Sequence, residues 1–282
     1  MLLEGEASKT IFTVPESTVE KGVLIELKNA QNIVIRNFSF TGNGRLGYAL
    51  KITSAEGGET KNITVENCSW TDMRGIVYGA TGCHKPGTSD VTYNNCTFKR
   101  IGIDSHSHHM YHAHSTKRII VINSHFEDCT GDYVRFRDNC DYNTVKGSTF
   151  VRNADFPVYP FISAPLFNNI DPGDESFSSN YTIKGNSFIN AKYAVAFHNY
   201  GYSAPGFNYL LSAEEGKILK TGSSSEKKKL LLKNFGIDAG QISISGNNYK
   251  QIEAKVGMGS FAKYGAKSKG FDGWGDISEL FN

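Results

Sequence analysis

One sequence pattern recurs seven times and constrains the fold more than any other feature of the chain. Each copy has alternating apolar residues, then asparagine or glycine, a small residue and an aromatic residue. The copies are NIVIRNFSF (32–40), NITVENCSW (62–70), DVTYNNCTF (90–98), RIIVINSHF (118–126), YNTVKGSTF (142–150), YTIKGNSF (181–188) and QISISGNNY (241–249). From Phe40 to Phe150 the aromatic residues are about 24–30 residues apart, as in solenoid repeats. A unit this short cannot bury a core alone, so neighbouring units must stack.

The alternation within each copy has a period of two, which predicts strands rather than helices. Ile33 and Ile35 fall on the inward side of the first copy, and Arg36 falls on the outward side. Stacked strands, about 4.7–4.9 Å apart, place like residues above like. The pattern resembles the right-handed parallel β-helix over most of 20–200 and 240–250. We therefore predict an all-β, single-domain solenoid over 1–282; the regular period argues against the alternative, a β-sandwich.

Three stretches depart from the repeat. Residues 155–178 hold four of the seven prolines and predict a long loop insertion. Residues 204–236 have helix-like spacing and form a second predicted insertion. Residues 250–282 are rich in glycine and lysine, and we interpret them as a C-terminal cap. Long insertions in solenoids often border the binding site.

Composition excludes some classes of function. Thirty basic residues against 28 acidic residues give a net charge of +2, too little for the overall basic field of a nucleic-acid-binding protein. No apolar run reaches the ~18–20 residues that span a bilayer. The first twelve residues lack the basic and apolar regions of an intact signal peptide.

The five cysteines include at least one that is unpaired within the chain, and they form no CxxC motif. Cys68 and Cys96 each lie two residues before the aromatic residue, where the next copies have Ser124 and Ser148. This alignment predicts an inward ladder of small residues. A disulfide between Cys68 and Cys96 is the alternative, since the stacking distance permits one.

Counting back from Phe126 and Phe150 aligns two further strands, HMYHAH and DYVRFRD. The alignment predicts that Met110, His112, Val134 and Phe136 face inward. It predicts an outward ridge, which we call the tyrosine–arginine ridge: His109, Tyr111, Tyr133, Arg135, Arg137 and, from the next coil, His198. Tyr111 and Arg135 should be direct neighbours. Lys146 and Lys184 project from the following strand, and the turn before it decides whether they share the cleft.

Histidines at 106, 108, 109, 112 and 114 raise the question of a metal. His108 and His112 have the spacing of a helical zinc site, but the pattern predicts a strand and the glutamate of HExxH is missing. The acids near the ridge, Asp128, Asp132, Asp138 and Asp141, are scattered. Their spacing is compatible with a calcium site but does not imply one, so we predict no cofactor. The alternative interpretation of the histidines is a core residue at His112 and solvated or cleft-lining residues elsewhere.

A β-helix with an outward Tyr/Lys/Arg/His ridge resembles the polysaccharide lyases that cleave uronic-acid polymers, alginate lyases in particular. The resemblance implies β-elimination, in which an arginine neutralises the uronate carboxylate and a base removes the C5 proton. It implies Tyr111 as base or acid, Arg135 as carboxylate neutraliser and Lys146 as a rival base. The remaining predicted residues would bind the anionic chain: His109, Tyr133, Arg137, Lys184 and His198.

Other classes fit less well or remain open. Polygalacturonase-type hydrolases need paired aspartates, and the chain has no Asp-Asp pair. A uronate C5 epimerase shares the proton abstraction, but a DPHE-like motif is absent. A non-catalytic glycan-binding β-helix would have the same ridge without a base. We expect a secreted monomer whose partner is an anionic polysaccharide, without nucleic acid or membrane contacts.

Overall fold

The computed structural model describes residues 1–7, 9–15, 17, 22–82, 87–153, 159–167, 175–201, 211–262 and 270–281. Apart from one antiparallel strand near the C-terminus, their strands pair in parallel and form a right-handed β-helix with three faces. This confirms the predicted fold class and excludes the sandwich. Face 1 contains β1 (Leu2–Glu4), β4 (Gln31–Arg36), β7 (Thr60–Glu66), β10 (Thr88–Asn94), β13 (Lys117–Ile122), β16 (Thr144–Lys146), β19 (Thr182–Lys184) and β21 (Ser243–Ser245).

The other two faces follow face 1 in each coil. Face 2 contains β2 (Ile11–Thr13), β5 (Ser39–Arg45), β8 (Ser69–Met73), β11 (Thr97–Ile101), β14 (His125–Cys129) and β17 (Thr149–Val151). Face 3 contains β3 (Val23–Lys28), β6 (Tyr48–Thr53), β9 (Ile76–Thr81), β12 (Met110–Ala113), β15 (Val134–Phe136) and β18 (Ile162–Phe167). Two long strands, β20 (Ser187–Gly201) and β22 (Asn248–Ala262), run from face 2 onto face 3.

The repeating aromatic residues stack in one internal file, as the sequence predicts. Phe98 and Phe126 have no exposed surface, and their rings are 4.8 Å apart. The file also contains Phe12, which the repeat did not reveal. The ring-centroid distances are Phe12–Phe40 5.2 Å, Phe40–Trp70 5.1 Å, Trp70–Phe98 5.4 Å, Phe126–Phe150 4.7 Å, Phe150–Phe188 5.0 Å and Phe188–Tyr249 5.7 Å. The file holds the coils in register because each ring packs on the ring below it.

The turn from face 1 to face 2 explains the asparagine or glycine of each repeat. The residues here have left-handed backbone conformations: Asn37, Asn67, Asn95, Asn123, Gly147, Gly185 and Gly246, with φ of 52–66°. Asparagine and glycine adopt this conformation at the lowest cost. Asparagine side chains also bond along the stack, as from Nδ2 of Asn95 to Oδ1 of Asn67 at 2.8 Å.

The predicted ladder of small residues lies inside the same corner. Cys68, Cys96, Ser124 and Ser148 are buried, and Cys68 and Cys96 are free thiols, so the disulfide alternative is wrong. The hydroxyl of Ser124 accepts a hydrogen bond from the backbone N–H of Cys96 at 3.1 Å. Cys83 lies outside the described residues.

The stretches that depart from the repeat contain further strands and helices. The region predicted as a loop at 155–178 contains β18, a rung of face 3. Its Pro165 is tolerated because the ladder with β15 covers only the pairs Val134–Ile162 and Arg135–Ser163. The second insertion forms α1 (Ala213–Thr221) and α2 (Ser224–Phe235), as its spacing predicts. Each helix begins with a capping box, at Ser212 and Ser223.

The solenoid continues into the predicted C-terminal cap, since β22 pairs with β20 along most of its length. An antiparallel strand, β23 (Gly273–Asp276), then packs on β22, and a short 3₁₀ helix follows at Ser278–Phe281. Among the described residues, no helix is long and apolar enough to cross a membrane.

Candidate functional site

Tyr111 and Arg135 are neighbours on the outside of face 3. They lie directly opposite each other in β12 and β15, in the register predicted from the sequence. The residues on either side, Met110 and His112, are fully buried. Tyr111 is therefore the outward residue of an alternating strand, and its phenol is partly exposed.

The phenolic oxygen of Tyr111 contacts Arg137. It accepts a hydrogen bond of 2.9 Å from Nη1 of Arg137, and Glu175 forms an ion pair with the other side of the same guanidinium. Burial opposes the charge of Arg137, but the bonds with Glu175 and Tyr111 outweigh it and raise its pKa. Arg137 thus holds a fixed positive charge against the phenolic oxygen.

Arg135 belongs to a second, more deeply buried group. Its Nε donates to Oδ2 of Asp132 at 3.0 Å, and His108 contacts the other oxygen of the same carboxylate. Burial opposes the charge of Asp132, yet Arg135 and His108 hold its pKa well below the usual range. Burial and the charge of Arg135 lower the pKa of His108, despite the nearby Asp132. At neutral pH the group contains a guanidinium, a carboxylate and a neutral imidazole.

The two groups meet at the ring of Tyr111. The guanidinium carbon of Arg135 lies 5.7 Å from the ring centroid, and the imidazole of His108 lies 5.6 Å from it. We call Tyr111, Arg135, Arg137, His108, Asp132 and Glu175 the face 3 site. It places one phenol among two guanidinium groups and a neutral imidazole. The phenol can transfer a proton, and the guanidinium groups can stabilise a developing negative charge.

Two members of the predicted ridge point inward instead. His109 and Tyr133 have no exposed surface. The imidazole of His109 packs between the rings of Phe98 and Phe126, at 5.8 and 5.6 Å. The hydroxyl of Tyr133 donates to the carbonyl of Val151 at 2.6 Å. Both residues precede their strands at the corner between faces 2 and 3, where the alternation of the strand does not apply. Their prediction as outward substrate-binding residues is wrong.

His198 faces outward but is not in the coil next to Arg137. The strand β18 lies between β15 and β20, so His198 stands opposite Pro165, one rung farther on than predicted. It is 3% exposed, and Trp274 packs edge-on against its imidazole at 5.3 Å. The structure does not bring it to Tyr111 because the predicted loop supplied an extra rung.

Lys146 and Lys184 lie on face 1, opposite each other in β16 and β19. Both are exposed. The turn that separates them from Arg137 has left-handed conformations at Asp138 and Asn139. This corner directs the next strand onto a different face of the β-helix, so the two lysines are not part of the surface around Tyr111.

The tyrosine–arginine ridge predicted from the sequence left out three members of the face 3 site and one neighbour, although His108 was interpreted as a solvated or cleft-lining residue and Asp132 as an acid near the ridge. His108 and Asp132 stand three residues before Tyr111 and Arg135, at the corner that precedes β12 and β15, and both are buried. Glu175 reaches Arg137 across 38 residues. Tyr48 lies one rung below Gly79, which itself pairs with Tyr111. The repeated spacing of three residues between charged or aromatic side chains was the available signal for His108 and Asp132.

Among the described residues, no group of three or more histidine, cysteine, aspartate or glutamate side chains is arranged to hold a metal ion. The carboxylates near the site already have cationic or polar partners. Asp132 binds Arg135, Asp138 binds Nδ1 of His114 at 2.8 Å, and Asp128 accepts from the backbone N–H of Asn153 at 2.7 Å.

The fold and the site together define a parallel β-solenoid with a polar, tyrosine-centred site on one face. A model of the right-handed β-helix region matches residues 3–159, more than half of the chain. The chain belongs to this right-handed β-helix family, whose fold is compatible with proteins that act on polysaccharides. No curated protein and no solved structure shows significant similarity to it.

Proposed function

We propose that the protein is a polysaccharide lyase that cleaves a uronate polymer, alginate foremost, by β-elimination. The contact between the phenolic oxygen of Tyr111 and Nη1 of Arg137 carries this proposal. It joins a proton-transferring group to a fixed cation on an outward, partly exposed surface. Such a pairing suits an anionic substrate better than a neutral one.

The reaction requires removal of the C5 proton beside the uronate carboxylate. Tyr111 takes this proton, the C4=C5 double bond forms, and the bond from C4 to the glycosidic oxygen breaks. The same phenol then returns a proton to the leaving oxygen. Tyr111 must therefore be a phenolate before the first transfer, a phenol between the two transfers and a phenolate again after the second. Arg137 stabilises the phenolate, because its N–H points at the oxygen that bears the charge.

A cation must also neutralise the uronate carboxylate. Arg135, the residue first assigned to this role, is only 7% exposed and binds Asp132. Arg137 is more exposed and stands at the phenolic oxygen. The role is therefore divided between two residues. Arg137 contacts the substrate carboxylate, and the buried Arg135 contributes positive electrostatic potential from below the surface. Lys146 and Lys184 have no part in this step because they lie on face 1.

His108 and Asp132 support the same centre. Asp132 fixes the orientation of the His108 ring, as carboxylates do for many functional histidines. The neutral imidazole next to Tyr111 can accept a proton, so His108 is a second group able to assist the phenol. The proposal needs no metal or cofactor.

A non-catalytic glycan-binding protein is the second candidate function. One observation favours it: each guanidinium of the site already has a carboxylate partner, Asp132 or Glu175, which reduces the positive charge offered to a substrate. Both candidates imply a secreted protein with an anionic polysaccharide partner.

The test is incubation of the purified protein with alginate, pectate, glycosaminoglycans and gellan-like polymers. A lyase produces the ultraviolet absorbance of a C4=C5 double bond. Binding of a polymer without this absorbance supports the glycan-binding alternative, and exchange of the C5 hydrogen with solvent without cleavage identifies an epimerase.

A further inference from the structure

Face 3 changes from open to covered at the boundary between two adjacent rungs. Tyr48, Lys51 and Tyr111, on the N-terminal side of the boundary, are all partly exposed. On the C-terminal side, Arg135 is 7% exposed, and Ser163, the outward residue of the next rung, has no exposed surface. The proton-transferring phenol of Tyr111 is thus the last accessible group of the column.

On the open side, a glycine leaves space that an aromatic ring covers. Gly79 stands directly opposite Tyr111 in the rung below. A methyl group on Gly79 would lie 3.3 Å from Cε1 of Tyr48, so the tyrosine ring covers the space that a side chain would occupy. Burial and the nearby Tyr111 raise the pKa of Tyr48, in agreement with two phenols close together.

A cation follows on the same side. Lys51 lies opposite Gly79 one rung farther from Tyr111, so that it is about 10 Å from Tyr111 along the solenoid axis. Its side chain is 40% exposed and 3.6 Å from Glu26. The next outward position on these rungs is a threonine, Thr53 or Thr81, and the two are paired. Aromatic, cationic and hydroxyl groups in a row are the groups that bind sugar rings bearing carboxylates.

The covered side offers no such path in the part of the chain that the structure describes. Trp274 of β23 packs on Tyr193 at 4.7 Å and on His198 at 5.3 Å, above the rung of Ser163. The small outward residue between them, Ala196, is fully buried in the same cluster. The hydroxyl of Ser163 has no hydrogen-bond partner among the described residues, although it is buried directly above Arg135. Ser163 therefore belongs to the covered rungs that end the open side of face 3.

We propose that the polymer binds along Tyr48, Gly79 and Lys51, with its end against Arg135 and Ser163, and that the protein removes units from a chain end. This inference rests on the proposed lyase function and adds its mode of action. A chain that crossed the site in both directions would need an open surface beyond Arg135. The covered rungs exclude that path, whereas a chain end needs only the open side.

The first test is the size of the products over time with the parent protein and the polymer that it cleaves. Removal from an end releases the smallest unsaturated products from the start, while the viscosity of the polymer falls slowly. Early intermediate-sized oligosaccharides with a rapid fall in viscosity would overturn the proposal and leave the lyase function intact.

The second test concerns Tyr48, whose ring covers the space beside Gly79. Tyr48→Ala should raise KM about tenfold, which corresponds to the loss of an aromatic contact of about 1.4 kcal/mol, and should change kcat little. Tyr142→Ala is the matched control, because Tyr142 is 56% exposed and lies at the edge of face 1. Equal KM values for Tyr48→Ala and Tyr142→Ala would contradict the proposed path.

The third test does not depend on catalysis. Calorimetric titration with defined uronate oligosaccharides should show weaker binding by Lys51→Gln than by the parent, with Lys61→Gln, a lysine paired with Glu59 on face 1, as the control. If the parent binds these oligosaccharides but cleaves none, the lyase function fails and the binding path stands. If Lys51→Gln binds as the parent does, or the parent binds none, the path itself is wrong.

Discussion

Arg137, the residue after β15, donates a hydrogen bond of 2.9 Å to the phenolic oxygen of Tyr111 in the rung below. This contact joins two residues that are 26 positions apart in the sequence. It converts a surface tyrosine into a group whose oxygen faces a permanent cation, and the predictions for the site depend on it.

Arg135→Ala should lower the free energy of unfolding more than the loss of an exposed ion pair does. The variant leaves the carboxylate of Asp132, 3% exposed, without its guanidinium partner, which costs about 3–5 kcal/mol for a buried pair. Arg36→Ala is the control, since Arg36 pairs with Glu4 at the surface and should cost no more than about 1 kcal/mol. Urea denaturation measures both. Equal losses of stability in the two variants would show that the buried carboxylate of Asp132 does not need Arg135 as a partner.

Phe126→Ala should be among the most destabilising substitutions in the chain. Its ring is fully buried and stacks on Phe98 and Phe150, so truncation should cost about 3–5 kcal/mol. Phe12→Ala, at the exposed start of the same file, should cost much less, because Phe12 is 43% exposed. A loss below about 1 kcal/mol for Phe126→Ala would contradict the internal file.

His112 should make the protein sensitive to acid. Burial lowers its pKa from 6.5 to about 3, and neither ring nitrogen has a hydrogen-bond partner among the described residues. The unfolded chain binds a proton near pH 6.5 and the folded chain does not, so stability falls as pH drops from about 6.5 to about 3. At pH 5 the loss from this residue is about 2 kcal/mol.

His112→Phe removes this titration while keeping a ring that can stack on Phe136, as the imidazole does at 5.4 Å. Its melting temperature should equal or exceed that of the parent at pH 7 and should fall less between pH 7 and pH 5. Parallel losses in parent and variant over that range would show that His112 does not carry the acid sensitivity.

Chelation should leave activity unchanged. The acidic side chains closest to Tyr111 are engaged with protein cations, Asp132 with Arg135 and Glu175 with Arg137. Activity measured before and after treatment with EDTA, and again after addition of calcium, checks this prediction. A loss on chelation that calcium restores would require a metal in the mechanism.

The repeat in the sequence was sufficient to predict the register of the solenoid. Aligning Phe126 with Phe150 correctly placed Tyr111 beside Arg135, because the aromatic file and the period of two fix both the rung and the face. The same reasoning failed for His109 and Tyr133, which lie at a corner. There the backbone direction, rather than alternation, decides where a side chain points.

Two further features could not be predicted because they depend on three-dimensional turns. The rung β18 contains a proline and lies in a stretch without the repeat, so the separation of His198 from Arg137 was hidden. The angle of the turn after Arg137 places Lys146 on face 1, and no local pattern in the sequence encodes that angle. The partner of Arg137, Glu175, lies 38 residues away in a stretch without periodicity.

The most direct test of the proposed function is the rate of unsaturated-product formation by the parent and by Tyr111→Phe. The substitution removes one hydroxyl and keeps the outward ring, so the melting temperature should stay close to that of the parent. The rate should fall by at least ~10²–10⁴, the range for a positioned acid–base group. Tyr142→Phe and Lys146→Ala, on another face, should retain the parent rate. Undiminished turnover by Tyr111→Phe would contradict the account, and loss of turnover in Lys146→Ala instead would move the base to face 1.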